Sequence, residues 1–305
     1  MTWPTDPFEW AEIPLALVRR LLREQHPDLA DLDLREGGRG WDNVTYRLGD
    51  ELAVRLPSRG VGDDLAANEH RWLPVLGPRL PLPTPVPLRL GAPSDRYPWR
   101  WSVVPWLPGR PALHDPPVDG LATASALAGF VLALRTPAPT DAPPNPYRGV
   151  PLPDRSEQTL EQIASLGDDV PEQAGLDADE LRRCWEDHVA TAPWTGAPQW
   201  VHGDLHPLNL LVDGGRLSAV IDFGDLTAGD PATDLFAAWT LLDGGARTAF
   251  LDATTASDDD LRRRGRGWAL AMGLAYLANR KDHNTLRPLG RRTVDAVLAE
   301  WRAEH

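Results

Sequence analysis

The stretch "HGDLHPLNLLVDGGRLSAVIDFGD", residues 202–225, decides how the rest of this chain is interpreted. It begins with a short loop that holds four polar side chains: His202, Asp204, His206 and Asn209. Apolar residues lie on both sides of this loop, and buried polar groups are costly unless they are paired. The loop is therefore either an elaborate structural turn or a place where something charged is held.

The second half of the stretch predicts a β-hairpin. Asp213–Gly215 separates two apolar runs, which is a strong hairpin signal. Folding the chain about this turn places Asp222 beside residues 207–209, and so beside Asn209. An amide oxygen and a carboxylate oxygen are ligands that suit Mg²⁺. The spacing therefore predicts a magnesium site formed by Asn209 and Asp222, with Asp204 facing whatever the metal holds.

Composition limits the setting of the protein. The 305 residues include one cysteine, Cys184, so no internal disulfide can form and a reducing cytoplasm is expected. The N-terminus has no signal-peptide pattern, and the longest apolar stretch, around residues 268–278, is too short to span a bilayer; no membrane partner is predicted. Lys281 is the single lysine, so roles usually given to lysine fall to arginine unless Lys281 supplies them.

The net charge of −13 is unevenly distributed along the chain. Residues 141–260 contain 6 basic and 23 acidic residues, whereas residues 261–305 contain 10 basic and 4 acidic residues. A nucleic-acid-binding protein would need a basic face, so no nucleic-acid partner is predicted. The acidic region predicts instead a cationic small-molecule partner, because a cleft lined with one sign of charge attracts the other.

The hydrophobic pattern predicts an α+β fold, with a small antiparallel-sheet lobe followed by a larger helical lobe. A helix capped by Asp63 or Asp64 is predicted at 63–73. The other predicted elements are a helix at 11–26, three strands within 32–57, strands at 86–91 and 99–106, and helices at 119–135, 154–167, 177–191, 231–242, 261–279 and 289–303.

The pattern His202-x-Asp204-x₄-Asn209, followed by Asp222-Phe223-Gly224, is similar to the catalytic loop and metal-binding aspartate of kinases. In the form "HGDLHPLNLL" and "IDFGD" it resembles the aminoglycoside phosphotransferase family, relatives of choline and homoserine kinases. The resemblance implies a two-lobed, protein-kinase-like fold: a nucleotide-binding lobe at 1–104, a hinge at 105–110 and a helical lobe at 111–305. It also implies that Asp204 is the catalytic base and that Asn209 and Asp222 hold Mg²⁺ on the phosphates of ATP or GTP.

The same resemblance assigns roles in the small lobe. The segment "EGGRGWDN" would cover the phosphates through Gly38 and Gly40, with Asn43 standing where a further glycine is usual. Arg55, on the third strand, would take the place of the usual lysine and pair with Glu69 on the next helix. Such a replacement alters phosphate contacts, because arginine is a bidentate fork and lysine a point charge.

The predicted hinge, "SVVPWLPG", would bind adenine through its backbone. Adenine would accept a hydrogen bond from the Leu107 N–H group and donate one to the Pro105 carbonyl. Pro105 lacks an N–H group but keeps its carbonyl, so the proline falls where no donor is needed.

The function that follows is Mg²⁺-dependent transfer of a nucleotide γ-phosphoryl group to a hydroxyl of a small molecule, for which the resemblance suggests an aminoglycoside-like or other antibiotic. Two alternatives stay open: a metal-dependent hydrolase using His202, Asp204 and His206, and a catalytically idle kinase-like binding module. His202 is expected to support the loop. His206 is either a metal ligand or a loop hydrogen-bonding residue, Asp230 and Asp234 are expected to cap the loop or a helix, and Asp225 has no predicted role.

Overall fold

A computed structural model of the chain describes residues 9–167, 170–279 and 285–305; Lys281 lies outside these ranges. The chain divides into two compact units. The first is Met1–Gly109 together with Ser218–Asp225, and the second is Arg110–Leu217 together with Leu226–His305. The chain first passes from the first unit to the second after Gly109, inside the segment 105–110 that was predicted as a hinge. It returns to the first unit for residues 218–225, which include Asp222.

The first unit contains an antiparallel sheet of five strands in the order β1–β2–β3–β5–β4. These strands are β1 (Leu34–Arg39), β2 (Asn43–Leu48), β3 (Leu52–Pro57), β4 (Arg89–Gly91) and β5 (Trp101–Pro105), and the helices are α1 (Leu15–Gln25) and α2 (Val61–Leu76). Val18, Leu21 and Leu22 line one face of α1 at helical spacing and are fully buried in the core of this unit.

The predicted start of the helix in this unit is wrong. Helix α2 begins after Gly60, and neither Asp63 nor Asp64 caps it. Asp63 instead accepts hydrogen bonds from the backbone N–H of Arg100 at 2.6 Å and from its guanidinium at 2.5 Å. The first half of the segment "EGGRGWDN" belongs to β1, which continues to Arg39 with an irregular register between Glu36 and Gly38.

The second unit is mainly helical. Its helices are α3 (Gly120–Leu134), α4 (Ser156–Ala164), α5 (Ala178–Val189), α6 (Ala237–Leu241), α7 (Gly244–Thr255), α8 (Asp259–Ala278) and α9 (Arg287–Glu304). Its strands are β6 (Arg110–Pro111), β7 (Gln199–Val201), β8 (Leu210–Asp213), β9 (Arg216–Val220), which crosses into the first unit, and β10 (Thr227–Gly229). Strands β7 and β10 pair antiparallel, and the remaining three form a sheet in the order β6–β8–β9. The α+β fold class is therefore confirmed.

Some elements of the second unit differ from the sequence-based prediction. The helix expected at 231–242 is a 3₁₀ turn at Thr233–Phe236 followed by the short helix α6. Helix α7 was not predicted, because Gly244 and Gly245 at its start are typical of a loop. Strands β6, β7 and β10 are only two or three residues long, too short to show a period-two pattern. None of the helices in the described ranges combines the length and apolarity that a bilayer crossing requires.

Candidate active site

The buried carboxylate of Asp234 holds the start of the loop at 202–209. Asp234 accepts hydrogen bonds from the backbone N–H groups of His202 and Gly203, both at 2.8 Å. Gly203 has a φ of +83°, a conformation that favours glycine. His202 is fully buried, and its Nδ1 accepts a hydrogen bond from the backbone of Asp204 at 3.2 Å. His202 and Asp234 therefore both lie where they can support the loop.

The Asp204 carboxylate is surrounded by hydrogen-bond donors. Its Oδ2 lies 3.1 Å from Nε2 of His206 and 3.1 Å from Nδ2 of Asn209, and its Oδ1 lies 3.5 Å from Nη2 of Arg148. Burial raises the pKa of Asp204, but His206, Arg148 and His202 together outweigh burial and hold the pKa well below its ordinary value. Asp204 is therefore ionised at neutral pH, and 21% of its side chain stays exposed.

His206 has both ring nitrogens in use. Its Nδ1 accepts a hydrogen bond from the backbone of Leu208 at 3.2 Å, so the proton is assigned to Nε2, which donates to Asp204. The edge of the ring also meets Tyr276, with centroids 5.8 Å apart. Of the two roles left open by the sequence, this geometry favours a hydrogen-bonding residue over a metal ligand.

Arg148 is a site residue that the sequence analysis missed. It lies in a proline-rich connection between α3 and α4 that has no motif, and the only available signal was its scarcity, as one of 6 basic residues in 141–260. The next residue, Gly149, has a φ of +71°, and its carbonyl accepts a hydrogen bond from the backbone of Asp230 at 2.8 Å. Asp230 is in turn paired with the buried Arg264, with Nε 2.8 Å from Oδ2. A rigid chain of contacts thus fixes the backbone beside Arg148.

The first unit contains a second group of charges centred on Arg55. Its Nη1 lies 3.0 Å and 2.9 Å from the two carboxylate oxygens of Glu69, and its Nη2 lies 3.6 Å from Oδ1 of Asp222. Burial lowers the pKa of Arg55, but the Glu69 and Asp222 carboxylates outweigh burial and raise it. The backbone of Phe223 also donates to Glu69. The predicted Arg55–Glu69 pair is present, and Asp222 joins it.

Asp222 adopts an unusual backbone conformation. Its φ of +62° is in the left-handed region, which costs an L-residue roughly 1 kcal/mol or more. Its carboxylate is 48% exposed, although it lies beside Arg55. A strained residue that presents a half-exposed carboxylate is typical of a functional position.

The oxygen atoms available for a metal fit a hard cation. Both hydrogen bonds from Asn209 to Asp204 use Nδ2, at 2.9 Å to the backbone oxygen and 3.1 Å to Oδ2, which leaves the carbonyl oxygen of Asn209 to act as a ligand. The Asp222 carboxylate is the other predicted ligand. Carbonyl and carboxylate oxygens are the donor set that Mg²⁺ prefers. Asn209 belongs to the second unit and Asp222 to the first, so their joint role stays a prediction.

The glycine-containing turn and the predicted adenine-binding backbone both lie in the first unit. Gly40 N–H donates to the Asn43 carbonyl at 2.8 Å, which closes the turn between β1 and β2. Pro105 is the last residue of β5 and pairs with Leu52. One residue after this end of the β3–β5 pairing, Trp106 N–H donates a hydrogen bond to the Glu51 carbonyl at 2.7 Å. Leu107 therefore lies just beyond the sheet.

The hydrolase alternative finds no support among the residues that the structure describes. Across the described ranges, no three His, Cys, Asp or Glu side chains are grouped so as to hold a metal ion. The hydrogen bonds of His206 described above occupy both of its nitrogens.

Comparison with known protein families decides the family. A model of the phosphotransferase enzyme family, APH, matches residues 33–268. This chain belongs to that family. The matched range contains Arg55, Glu69, Asp204, Asn209 and Asp222.

Individual relatives are more distant than the family match. The chain is 32% identical over 99 residues to the uncharacterized protein YcbJ of Bacillus subtilis (strain 168), a match that covers 32% of this chain and 32% of that relative. The chain thus aligns with about a third of that relative's length.

Solved structures of family enzymes share the fold of nearly the whole chain. The GDP complex of wild-type aminoglycoside 2'-phosphotransferase-IIIa is 20% identical, with a TM-score of 0.69 over 94% of this chain and 99% of that one. The macrolide 2'-phosphotransferase MphH of Brachybacterium faecium is 22% identical, with a TM-score of 0.59 over 93% of this chain and 96% of that one. At such identities the likeness shows the fold, and the predicted kinase-like fold is confirmed.

Proposed function

We propose that the protein transfers the γ-phosphoryl group of ATP or GTP to a hydroxyl of a small molecule in a Mg²⁺-dependent reaction. The observation that carries this proposal is the Asp204 carboxylate, which is ionised, partly exposed and fixed by His206, Asn209 and Arg148. Membership of the phosphotransferase enzyme family supports the reaction class. Neighbouring structures include GDP, ADP and AMP-PNP complexes, which supports a purine nucleotide as donor.

In this mechanism Asp204 orients the acceptor hydroxyl. Because its pKa is low, Asp204 is a weak base, and it takes the proton only as the new oxygen–phosphorus bond forms and the bond to the nucleoside diphosphate breaks. Catalysis then comes mainly from positioning and charge neutralisation. Bound Mg²⁺, with Asn209 and Asp222 as its ligands, would neutralise charge on the nucleotide phosphates.

The residues of the first unit have binding roles in this proposal. Arg55 contacts the phosphates and is held in place by Glu69. Gly38 and Gly40, with Asn43 at the end of the turn, form the backbone that lies over the phosphates. Adenine binds the Leu107 N–H and the Pro105 carbonyl.

The acceptor is proposed to be a cationic, hydroxylated small molecule. The acidic composition of residues 141–260 supports a cation, and neighbouring structures include complexes with kanamycin, gentamicin and streptomycin. The basic C-terminal region offsets part of this acidity. Arg263 and Arg264, for example, pair with Asp187 and Asp230. The buried, single Cys184 supports a cytoplasmic location as part of the same proposal.

The proposal is tested by measuring consumption of ATP and of GTP, with and without Mg²⁺, against a panel of hydroxylated amines and macrolides. Mass spectrometry then identifies the acceptor that gains one phosphoryl group. Mg²⁺-dependent consumption with a phosphorylated acceptor is the expected result. Nucleotide binding with no consumption for any acceptor would instead favour the idle binding module.

Asp204→Asn is expected to lower kcat by about 10²–10⁴, the range for loss of a general base, with nucleotide affinity nearly unchanged. Asp213→Asn is the matched control, because Asp213 is an exposed aspartate of the adjacent hairpin turn. Asp222→Asn is expected to abolish Mg²⁺-dependent nucleotide binding. Full turnover by Asp204→Asn would contradict the assignment of the base.

A further inference from the structure

Arg155 is a buried cation that pairs with no carboxylate among the residues that the structure describes. It ends a 3₁₀ turn at Leu152–Arg155, just before α4, and only 4% of the residue is exposed. Its guanidinium carbon lies 5.7 Å from the centre of the Tyr147 ring and 5.9 Å from the centre of the Trp268 ring. Its Nε is buried and has no hydrogen-bond partner in the described part of the chain.

The other buried arginines show what such a residue normally requires. Four arginines are buried within the described ranges, and three of them pair with a carboxylate: Arg59 with Asp42, Arg264 with Asp230, and Arg266 with Glu304. Burying a charge is expensive unless it is paired. Arg155 is thus the exception among them.

The charges around Arg155 increase the need for an anion. Burial, the largest influence, and the nearby Arg148 together lower the pKa of Arg155 to about 10. Arg155 is still a cation at neutral pH, and the charge next to it is another cation. Arg148 also lies 3.5 Å from Asp204. Arg148 is therefore close both to the proposed catalytic carboxylate and to Arg155.

A second unpaired donor lies beside Arg155. Trp268, in the middle of α8, is fully buried, and within residues 9–167, 170–279 and 285–305 its Nε1 finds no hydrogen-bond partner. An indole N–H and a guanidinium can only donate hydrogen bonds. What each of these two donors lacks is therefore an acceptor. A water molecule could accept from either donor, but it would not neutralise the guanidinium.

We propose that Arg155, Trp268 and Arg148 form a subsite for an oxyanion, the carboxylate of the acceptor molecule. The assignment to the acceptor rests on the proposed function and on the location of the subsite. Its residues lie in the connection between α3 and α4 and in α8, whereas the proposed nucleotide contacts of Arg55, Leu107 and Pro105 lie in the first unit. Tyr147, whose ring faces Arg155, is 56% exposed, so the subsite lies next to a surface side chain.

This subsite narrows the proposed acceptor. A cationic molecule that also carries a carboxylate would satisfy both the acidic surroundings and the two arginines. The acceptor class is thus a hydroxylated amine bearing an acidic group, rather than an amine alone.

The direct test follows the Trp268 indole N–H by ¹⁵N nuclear magnetic resonance, with the signal assigned from Trp268→Phe. Sodium acetate and sodium sulfate are titrated against sodium chloride at equal ionic strength. The expected result is a saturable shift of this signal with acetate and sulfate but not with chloride. Absence of a saturable shift with both anions would overturn the proposal, and this arm needs no variant in which Arg155 is changed.

Arg155→Met removes the charge but keeps a long side chain, and circular dichroism checks that it folds. It should abolish the acetate-induced shift, whereas Arg302→Met, which changes an exposed arginine, should preserve it. A response in Arg155→Met equal to that of the wild type would contradict the proposal.

Two further experiments distinguish a nucleotide phosphate from an acceptor carboxylate as the anion bound at this subsite. If Mg²⁺–ATP itself shifted the Trp268 signal and competed with sulfate, the anion would be a nucleotide phosphate and the acceptor assignment would be wrong. In turnover assays, Arg155→Met should raise KM for carboxylated acceptors by about tenfold or more, the effect of losing one charge-assisted hydrogen bond, with KM for the nucleotide unchanged. If no acceptor is phosphorylated, the proposed function fails. The anion titration still tests whether the subsite binds an oxyanion, because it does not depend on turnover.

Discussion

At the scale of the residue, Arg55 does what a lysine could not. One nitrogen of its guanidinium pairs with Glu69 and another lies near Asp222, so that one side chain bridges two carboxylates. An ammonium group is a single point charge and cannot offer this fork. Arg55→Lys is therefore expected to keep part of the Glu69 contact and lose the Asp222 contact. The nucleotide kcat/KM of this variant would fall, without reaching the level of Arg55→Ala.

The Arg55–Glu69 pair is expected to be energetically coupled. In a double-mutant cycle, Arg55→Ala and Glu69→Ala should be non-additive by about 0.5–3 kcal/mol in transition-state stabilisation, measured from kcat/KM. The matched control is Arg35 with Asp50, an exposed pair on the same sheet, for which coupling in kcat/KM should be absent. Strict additivity of the Arg55 and Glu69 variants would mean that their contact has no role in catalysis.

At the scale of the element, strand β10 fixes the connection that carries Arg148. A Cβ added at Gly229 would lie 1.9 Å from the carbonyl oxygen of Gly149, so Gly229→Ala must displace backbone. We expect it to lower the free energy of unfolding by about 1–3 kcal/mol, the cost of overpacking, and to reduce kcat by moving Arg148 away from Asp204. Urea denaturation and steady-state kinetics measure the two effects.

Gly129→Ala is the control at this scale. Gly129 lies inside α3, and an added Cβ there meets nothing within 4 Å. Alanine should therefore stabilise the protein by roughly 0.5–1 kcal/mol without affecting kcat. Equal unfolding midpoints for Gly229→Ala and the wild type would show that β10 does not hold the connection as described.

At the scale of the whole molecule, the charged C-terminal region ties the helices of the second unit together. Arg266, in α8, donates to Nε2 of His188 at 2.9 Å and to both carboxylate oxygens of Glu304 near the end of α9. Nδ1 of His188 lies 2.5 Å from the carbonyl of Cys184, to which it donates as the protonated nitrogen. His188 is therefore neutral and has no room for a second proton, since that proton would face a guanidinium.

This arrangement predicts a pH dependence of stability. Burial is the main cause that lowers the pKa of His188 to about 4, from 6.5 in the unfolded chain. The unfolded state therefore binds a proton more readily, so the contribution of His188 is fully present above pH 6.5 and is lost progressively as the pH falls towards 4. Between pH 7 and pH 5 the loss should be about 2 kcal/mol.

The measurement is urea denaturation at both pH values for the wild type and for His188→Gln. Glutamine does not titrate near neutral pH and can still accept a hydrogen bond from Arg266. His188→Gln should therefore show a smaller loss of stability on acidification than the wild type. The same loss in both proteins would assign the pH dependence to other groups.

The sequence by itself determined the features that depend on residues close together in the chain. The hairpin followed from an Asp-Gly turn between apolar runs, and the loop that presents Asp204 followed from a motif confined to residues 202–225. The pairing of Arg55 with Glu69 was also foreseen, as an implication of the family resemblance for the single basic residue of the third strand. The α+β fold class followed from the hydrophobic pattern along the chain, which is likewise a property of neighbouring residues.

The tertiary structure alone decided how distant polar groups are paired. Arg148 reaches Asp204 across 56 positions of sequence, and Arg155 meets Trp268 across 113. His202 and Gly203 are held by Asp234, which the sequence assigned only as a cap. Hydrophobic periodicity shows which face of an element is buried, but it does not specify which polar side chains come into contact when two buried faces meet. Burial then makes those contacts decisive, because each charge must find a partner inside the fold or bind one from outside.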